Sequence, residues 1–273
     1  MNSQHYRIPF QFLKKLRFPL KTLYETITEK STGRDKSLRL RRYYLRKPTV
    51  NYRNFHPSKI NDPQYSHLKY LLGWVIYFLL FFLTEKLIPA ENCYSVHCGL
   101  DDLIPFNEAF LIPYVFWYVL ILFSLLYFTL YNAEGLKRLQ IYFITTQIIA
   151  VACYILFPTR QDLRPMILPR DNFLTDGVRL LYRIDTNTGV CPSMHVAFSI
   201  ALVSAWTKER NISWIWKGFI ITAAVIICLS TLFIKQHSAL DFFAAIPLCL
   251  LAEWASYGRY YKQKFANLKK HID

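Results

Sequence analysis

The apolar residues of this chain are gathered into long windows, several of which approach twenty residues with almost no charge. A window of about 20 apolar residues is what an α-helix needs to cross a bilayer. Hydrophobic residues make up 53% of the 273 residues, and aromatic residues make up 17%. An ordinary soluble domain of this length carries more charge and more glycine. The pattern therefore predicts an all-α, polytopic membrane protein.

Six windows are candidate transmembrane helices. They cover approximately residues 68–88, 110–131, 139–157, 193–206, 215–233 and 238–257. The fourth window is short for a full crossing, which a helix tolerates when its neighbours enclose it and one end opens into a polar cavity. The predicted organisation is a basic arm over 1–67, a six-helix domain over 68–257 and a basic tail over 258–273. Within the arm, Leu13 to Leu23 could form a helix on anionic lipid, or the arm could be mostly disordered.

Basic residues indicate the orientation of the predicted helices. The formal net charge is +15, and much of the excess lies in the arm, in two short loops and in the tail. These segments all fall on one side of a six-helix arrangement, which the positive-inside rule assigns to the cytoplasm. We therefore expect an integral protein, predicted for the plasma membrane, with both termini cytoplasmic. The loop from Pro89 to Ala109 carries four acidic residues and no Lys or Arg, as expected of the opposite side.

One outer loop departs from this rule. The segment from Pro158 to Pro192 should face away from the cytoplasm, yet it carries five arginines and four aspartates. Either the arginines bind an anionic ligand, or they form an ordinary salt-bridged loop. The cysteines show no metal-binding spacing, and Cys93 and Cys98 could be a disulfide or two free thiols.

The link between the fifth and sixth windows contains the first candidate catalytic group. His237 and Asp241 are four residues apart at the start of a helix, so they share one face. A carboxylate on one ring nitrogen fixes the tautomer and leaves the other nitrogen free to attack. Lys235 precedes them at a helix N-terminus, where anions bind well. The His–Asp spacing alone occurs often by chance.

The start of the fourth window contains the second candidate group. Pro192 and Ser193 suit the first turn and cap of a helix, and the free amides there can hold phosphate oxygens. His195 could donate a proton to a leaving alkoxide and then accept one from water. The topology brings both groups to one membrane depth, with the segment from Phe157 to Pro165. A metal site built from His195, His237 and Asp241 is disfavoured because the nearby cations would repel a metal and attract a phosphate.

The three segments that contain these candidate residues resemble three motifs of the type 2 phosphatidic acid phosphatase superfamily. Lys-x6-Arg-Pro corresponds to Phe157 through Arg164-Pro165, Pro-Ser-Gly-His to the segment 192–195, and Ser-Arg-x5-His-x3-Asp to the segment 230–241. Phe157, Met194 and Thr231 replace the family's lysine, glycine and arginine, and Lys235 could supply a missing cation. The strings are most similar to the branch that contains inositol phosphorylceramide synthases.

The resemblance implies a six-helix fold and a metal-independent lipid phosphatase that requires no cofactor. It implies that His237 is the nucleophile, that Asp241 orients it and that His195 is the acid. It also implies phosphate binding by Arg164, Ser193 and Lys235, with Arg160 a further candidate. The implied substrate is a lipid phosphate or phospholipid at the non-cytoplasmic face.

Two other functions stay open, and a third is disfavoured. The enzyme could pass a phospho-headgroup to a lipid alcohol instead of water. The missing first-motif lysine also allows a non-catalytic transporter or scaffold. Nucleic acid binding by the basic arm is not expected, because the arm lacks an aromatic-basic pattern on a recognisable fold. The sequence does not define an oligomeric state.

Overall fold

The computed structural model of the protein describes residues 48–210 and 212–269. The regular secondary structure of this part of the chain is helical apart from one short parallel pair of strands, which confirms the predicted all-α class. Most of the predicted arm, including the helix expected from Leu13 to Leu23, lies outside the described residues. The helices are α1 Leu72–Leu87, α2 Gly99–Leu103, α3 Leu111–Tyr131, α4 Ala133–Leu156, α5 Phe173–Ile184, α6 Met194–Lys208, α7 Trp214–Phe233 and α8 Ala239–Lys269, and the strands are β1 Tyr94–Ser95 and β2 Thr159–Arg160.

Among the described residues, five helical segments are long and apolar enough to cross a membrane, so the chain is an integral membrane protein. A 3₁₀ segment, Ser66–Leu71, leads into α1, and a second one, Glu108–Phe110, leads into α3. Each therefore lengthens the apolar segment that follows it. The five segments are Ser66–Leu87, Glu108–Tyr131, Ala133–Leu156, Trp214–Phe233 and Ala239–Ala266.

The fourth predicted span is not among these five. It forms α6, which has 15 residues. At a rise of about 1.5 Å per residue, α6 extends over about 22 Å, less than the hydrocarbon thickness. Helix α6 lies inside the bundle and packs against α3, α4, α7 and α8. Its neighbours, rather than lipid, surround most of its surface.

Helices α6 and α1 differ sharply in their surroundings. Most residues of α6 are buried, whereas Tyr77 is the one buried residue of α1. Most of the other apolar side chains of α1 are exposed, where a bilayer would cover them, whereas Trp74 and Phe81 pack against the core. The aromatic core between the helices includes Phe198 of α6, whose ring lies 4.5 Å from that of Phe143 in α4 and 5.9 Å from that of Trp117 in α3.

Several boundaries differ from the sequence-based ones. Helix α4 begins at Ala133 rather than near 139, because Asn132 caps it by accepting a hydrogen bond from the Gly135 amide at 2.8 Å. Helix α8 continues past residue 257 to Lys269, so the described part of the tail extends a bundle helix. The end of the predicted arm also contacts the bundle, since the Tyr52 hydroxyl donates to the Thr129 carbonyl at 2.9 Å.

The segment from Pro158 to Pro192, called an outer loop after its predicted location, contains its own helix, α5. Asn172 caps this helix by accepting hydrogen bonds from the Leu174 and Thr175 amides. Strand β2, in the same loop, pairs in parallel with β1 of the preceding outer loop, Tyr94 facing Thr159 and Ser95 facing Arg160. Cys93 and Cys98, near β1, are free thiols, as are the other four cysteines.

Candidate active site

The turn between α7 and α8 places His237 at the end of the bundle. Helix α7 ends in a Schellman motif, in which the Gln236 amide donates to Thr231 O at 2.9 Å and the Lys235 amide to Leu232 O at 3.2 Å. Lys235 has a φ of 55°, the left-handed conformation that this motif requires at its position. The chain thus reverses within a few residues and presents Gln236 and His237 beside the start of α8.

Asp241 links this turn to the first turn of α8. Its Oδ2 atom accepts a hydrogen bond from the Ser238 amide at 2.9 Å and lies 3.2 Å from Nδ1 of His237. The first contact is half of a capping box, in which an acidic residue in the first turn bonds the amide at the cap. Because Nδ1 faces the carboxylate, Nε2 of His237 points away from it, and no described residue bonds Nε2. The predicted His–Asp pair is therefore formed.

Asp101 fixes the same helix start from the neighbouring outer loop. Its carboxylate accepts hydrogen bonds from the Ser238 hydroxyl at 2.6 Å, the Ala239 amide at 2.7 Å and the Cys98 amide at 2.8 Å. Burial pushes the pKa of Asp101 up, but these hydrogen bonds outweigh burial and hold the pKa below its ordinary value. Asp101 therefore stays ionised and holds Ser238 in place beside His237.

His195 faces His237 from the first turn of α6. The two ring centroids are 5.7 Å apart. The His195 ring packs against Tyr114, at 4.4 Å, and against Trp117, at 4.1 Å. Its Nε2 atom is buried and has no hydrogen-bond partner among the described residues. The starts of α6 and α8 are joined directly, because the Ser193 amide donates to the Asp241 carbonyl at 3.1 Å.

Both histidines line one cavity of about 290 Å³. The cavity extends from the two rings into the space between α1 and α3. Its polar end includes Asp185 and Gln236, and the remainder is mainly aromatic and aliphatic. The apolar lining includes Trp74, Phe78, Phe81, Trp117, Ile121, Leu122, Leu125 and Phe198.

Ser193 occupies the cap position of α6 that the sequence predicted, but its hydroxyl makes no cap hydrogen bond. The side chain is fully buried, and its Oγ atom has no partner among the described residues. A buried polar atom without a partner costs about 1–3 kcal/mol. The Ser193 hydroxyl is thus a buried donor beside the His–Asp pair that is not committed to another protein group.

Arg164 reaches the site through Gln236. Its Nε and Nη2 atoms donate to Gln236 Oε1 at 3.0 and 2.6 Å. The guanidinium also donates to the carbonyls of Tyr182, Asp185 and Thr186 and lies 4.5 Å from the Tyr182 ring centroid. Burial lowers the pKa of Arg164, which nearby Asp185 partly offsets. Protein carbonyls therefore occupy most of its N–H groups.

Lys235 and Arg160, the other predicted phosphate-binding cations, are bonded elsewhere. The Lys235 ammonium donates to the Asp101 carbonyl at 2.7 Å and the Ile104 carbonyl at 2.5 Å. Arg160 donates to Asp162 at 3.1 Å and to the Ala90 carbonyl at 2.7 Å. Neither side chain lines the cavity. The structure therefore gives both cations a role in holding the outer loops, which the sequence-based reading did not anticipate.

Two other arginines of the outer loop also form ion pairs. Arg170 makes a two-point contact with Glu108, at 2.6 and 2.8 Å, and Arg179 pairs with Asp171 and Asp176. The sequence left a salt-bridged loop open as an alternative to an anion-binding loop. For these arginines the structure shows the salt-bridged arrangement.

Two polar residues at the cavity did not stand out in the sequence. Asp185 is one of the four aspartates of the outer loop, and the sequence indicated no role for Gln236. Both line the cavity, and the Gln236 amide nitrogen donates to Asp185 Oδ2 at 2.9 Å. Two signals in the sequence could have identified these residues. Gln236 directly precedes His237, and Asp185 follows the amphipathic helix α5. Burial raises the pKa of Asp185, while His237, Tyr114 and Arg164 act in the opposite direction.

Within the described residues no group of three or more His, Cys, Asp or Glu side chains is arranged to hold a metal ion. The comparisons with known proteins give no match. No family model matches the chain, and neither the curated proteins nor the solved structures contain a significant match to it. The functional argument therefore rests on the site itself.

Proposed function

We propose that this protein is a membrane-embedded phosphoryl-transfer enzyme that acts on lipid phosphates through a phosphohistidine at His237. The observation that carries the proposal is the pairing of the two histidines across one cavity. His237 has Nδ1 on Asp241 and Nε2 open, and His195 faces it with an unpartnered Nε2. A nucleophile with an orienting carboxylate and a separate acid–base group is the minimal set for such a reaction.

In the first step, Nε2 of His237 attacks phosphorus and the P–O bond to the lipid alcohol breaks. His195 donates a proton to the departing alkoxide. Asp241 stabilises the positive charge that develops on the imidazole of His237. The two ring centroids are 5.7 Å apart, so His195 lies close to a phosphoryl group carried by His237.

In the second step, a water molecule attacks phosphorus and the P–N bond breaks. His195, now neutral, takes the proton of that water, and phosphate is released. The lipid phosphate phosphatase reaction is then complete with both histidines in their starting states. No step needs a metal or a cofactor.

Arg164 and Ser193 are the side chains that best fit a role in phosphate binding. Ser193 Oγ is an uncommitted buried hydroxyl, and the first-turn amides of α6 have no intrahelical partners. Arg164 supplies positive charge from behind Gln236. Lys235 and Arg160 are left out of this proposed phosphate site, because their charged groups bond no residue that lines the cavity, whereas Arg164 bonds Gln236 and Asp185, which do.

The cavity walls support a lipid substrate. From the histidines, the cavity continues between α1 and α3 along apolar side chains such as Phe78 and Leu122. Both of these residues are exposed on helices that have the character of membrane spans. A hydrocarbon chain in this space would contact protein on one side and lipid on the other.

We further propose that α6 acts as a sixth, shortened span, giving the six-helix arrangement of the type 2 phosphatidic acid phosphatase superfamily. Its start is bonded to the start of α8, and its end lies beside Glu253, further along α8. Helix α6 therefore runs the length of the bundle core in a single direction. With six crossings, the basic segments are cytoplasmic, both termini are cytoplasmic and the histidines face the opposite side, in a plasma membrane.

The test uses the purified full chain in phosphatidate-containing vesicles. We expect release of phosphate and diacylglycerol, and a ³²P-labelled, acid-labile phosphohistidine when labelled phosphatidate is supplied. His237→Ala should remove both signals. Glu253→Gln, which changes a residue of α8 beside the far end of α6, should keep both in the protein that remains folded.

The same experiment separates the alternatives. Adding a lipid alcohol and finding a phosphorylated lipid product instead of phosphate would favour the headgroup transferase. Binding of lipid phosphate without turnover or phosphohistidine would favour a transporter or scaffold. Turnover that survives His237→Ala would rule out the phosphohistidine mechanism.

A further inference from the structure

Helix α5 carries an exposed apolar stripe along one face. Phe173, Leu180 and Ile184 are 87%, 57% and 72% exposed. The first two are seven residues apart and the last two are four apart, spacings that bring side chains onto one face of an α-helix. Single exposed apolar side chains are ordinary, but three of them on one face of a 12-residue helix form a patch that indicates an apolar partner.

The opposite face of α5 packs on the bundle. Thr175 and Val178 are buried there. On the same side, the Tyr182 hydroxyl donates to the Ile234 carbonyl at 2.6 Å, at the end of α7. The contacts of α5 with the rest of the protein therefore leave the stripe of Phe173, Leu180 and Ile184 uncovered.

A third side of α5, between these two faces, is charged. Asp176, Arg179 and Arg183 follow one another at intervals of three and four residues, which places them on one side of the helix. Arg179 pairs with Asp176 at 2.6 Å and with Asp171 at 2.9 Å. An apolar stripe beside a charged side is the pattern of a helix that lies in the interface plane of a membrane.

Gly177 shows which way the stripe faces. It lies between Phe173 and Leu180 along the chain and on the same face of the helix. A Cβ atom added at Gly177 would be 2.5 Å from Leu111 Cδ2, so this face is directed at the first residue of α3. Helix α3 belongs to a segment of membrane length, and its second residue, Ile112, is exposed. The stripe of α5 is therefore continuous with the lipid-facing surface of α3.

We propose that α5 is an interfacial helix whose stripe of Phe173, Leu180 and Ile184 is inserted into the lipid leaflet beside the start of α3. The partner is the boundary between lipid headgroups and acyl chains, and the charged side of α5 faces headgroups and water. The bilayer already covers α3, so the stripe extends an existing interface. This contact is separate from the cavity of the two histidines and does not depend on the proposed reaction.

The test uses the full chain with the photo-crosslinking residue benzoylphenylalanine at one position at a time, in vesicles of phosphatidylcholine and phosphatidylglycerol. After irradiation, mass spectrometry measures the fraction of each labelled peptide that carries a lipid. The test positions are Phe173, Leu180 and Ile184. Asp176, exposed on the charged side, is the matched control on the same helix. Leu122, exposed about 16 Å along α3, is the control for contact with acyl chains.

Each stripe position should give about tenfold more lipid adduct than Asp176, because the two sides of an interfacial helix lie in acyl chains and in water. The adducts should lie on the part of the acyl chain near the headgroup, since such a helix is buried by only about 5–10 Å. Leu122 should give adducts further along the chain. The three stripe positions are independent, so the result stands if one of the substituted proteins does not fold.

Three outcomes would overturn the inference. The first is lipid adduct at Leu122 with no more at the stripe than at Asp176. The second is crosslinking between two protein chains at the stripe in place of lipid adducts, because a second copy would then cover it. The third is lipid adduct at Asp176 as frequent as at the stripe, which would contradict the orientation of α5.

Discussion

The two ends of α6 bury polar groups in opposite ways. At the far end, Lys208 pairs with Glu253 at 2.7 Å, and Glu253 also accepts hydrogen bonds from Ser204 at 2.5 Å and Tyr261 at 2.6 Å. At the first turn, Ser193 Oγ and His195 Nε2 are buried with no partner among the described residues. One helix thus begins with unpaired polar atoms and ends in a saturated network.

This difference supports assigning the proposed function to the first turn of α6 and a structural role to its far end. Buried polar groups in proteins are nearly always paired, because an unpaired group keeps its full desolvation cost. A saturated network fixes how helices pack, as between α6 and α8 here. Unpaired groups beside a cavity are what remains when the missing partner is a ligand. Substitutions at the two ends of α6 and around them should therefore affect turnover at one end and stability at the other.

The largest effect is expected at His237. His237→Gln keeps the size of a polar side chain but removes the nucleophile, so lipid phosphate turnover should fall by about 10⁴-fold or more, comparable to losses of catalytic groups elsewhere. The melting temperature in detergent should stay near the wild-type value. A large drop in melting temperature with residual turnover would indicate that His237, across the cavity from the start of α6, has a structural role as well.

His195→Ala should have the next largest effect. Loss of an acid–base group typically costs about 10²–10⁴-fold. The loss should be smaller for substrates that have a better leaving group than a lipid alcohol, such as p-nitrophenyl phosphate esters, because their departing oxygen needs less protonation by an acid. An equal loss for good and poor leaving groups would contradict the acid role.

At the far end of α6, Lys208→Met should act on stability instead. It leaves Glu253 half-buried without its cation, and breaking such a pair costs about 3 kcal/mol. We expect a clear fall in melting temperature, with kcat of the remaining folded protein within about twofold of wild type. Glu253→Gln is the matched variant from the other partner.

Lys235→Met tests the two roles given to this lysine. The structure has its ammonium on the Asp101 and Ile104 carbonyls, so we expect a loss of about 1–2 kcal/mol of stability from these hydrogen bonds. KM for lipid phosphate should stay within about threefold. A tenfold rise in KM with unchanged stability would restore the phosphate-binding role that the sequence predicted.

The smallest effect is expected for Arg160→Gln. The ion pair with Asp162 is partly exposed, with side-chain exposures of 31% and 50%. Such pairs contribute about 0–1 kcal/mol, so both melting temperature and turnover should stay close to wild type. A large loss of turnover would show that an arginine of the outer loop contacts substrate.

Most of the helical framework and the His–Asp pair could be predicted from the sequence, because both depend on local spacing. Apolar windows of membrane length and a carboxylate four residues from a histidine are visible without a fold. The sequence also predicted a span at the fourth window, but the helix formed there, α6, has 15 residues and is not among the five segments of membrane length, because its neighbours rather than lipid bury it.

The sequence by itself determined that this is a membrane protein with His195, His237 and Asp241 at helix starts. Only the tertiary structure decided where the charged side chains go. It placed Lys235 and Arg160 on outer-loop groups and brought Asp185 and Gln236 to the cavity. The physical reason is that a long side chain bonds whichever acceptors the fold brings within reach, and those acceptors belong to segments far away in sequence.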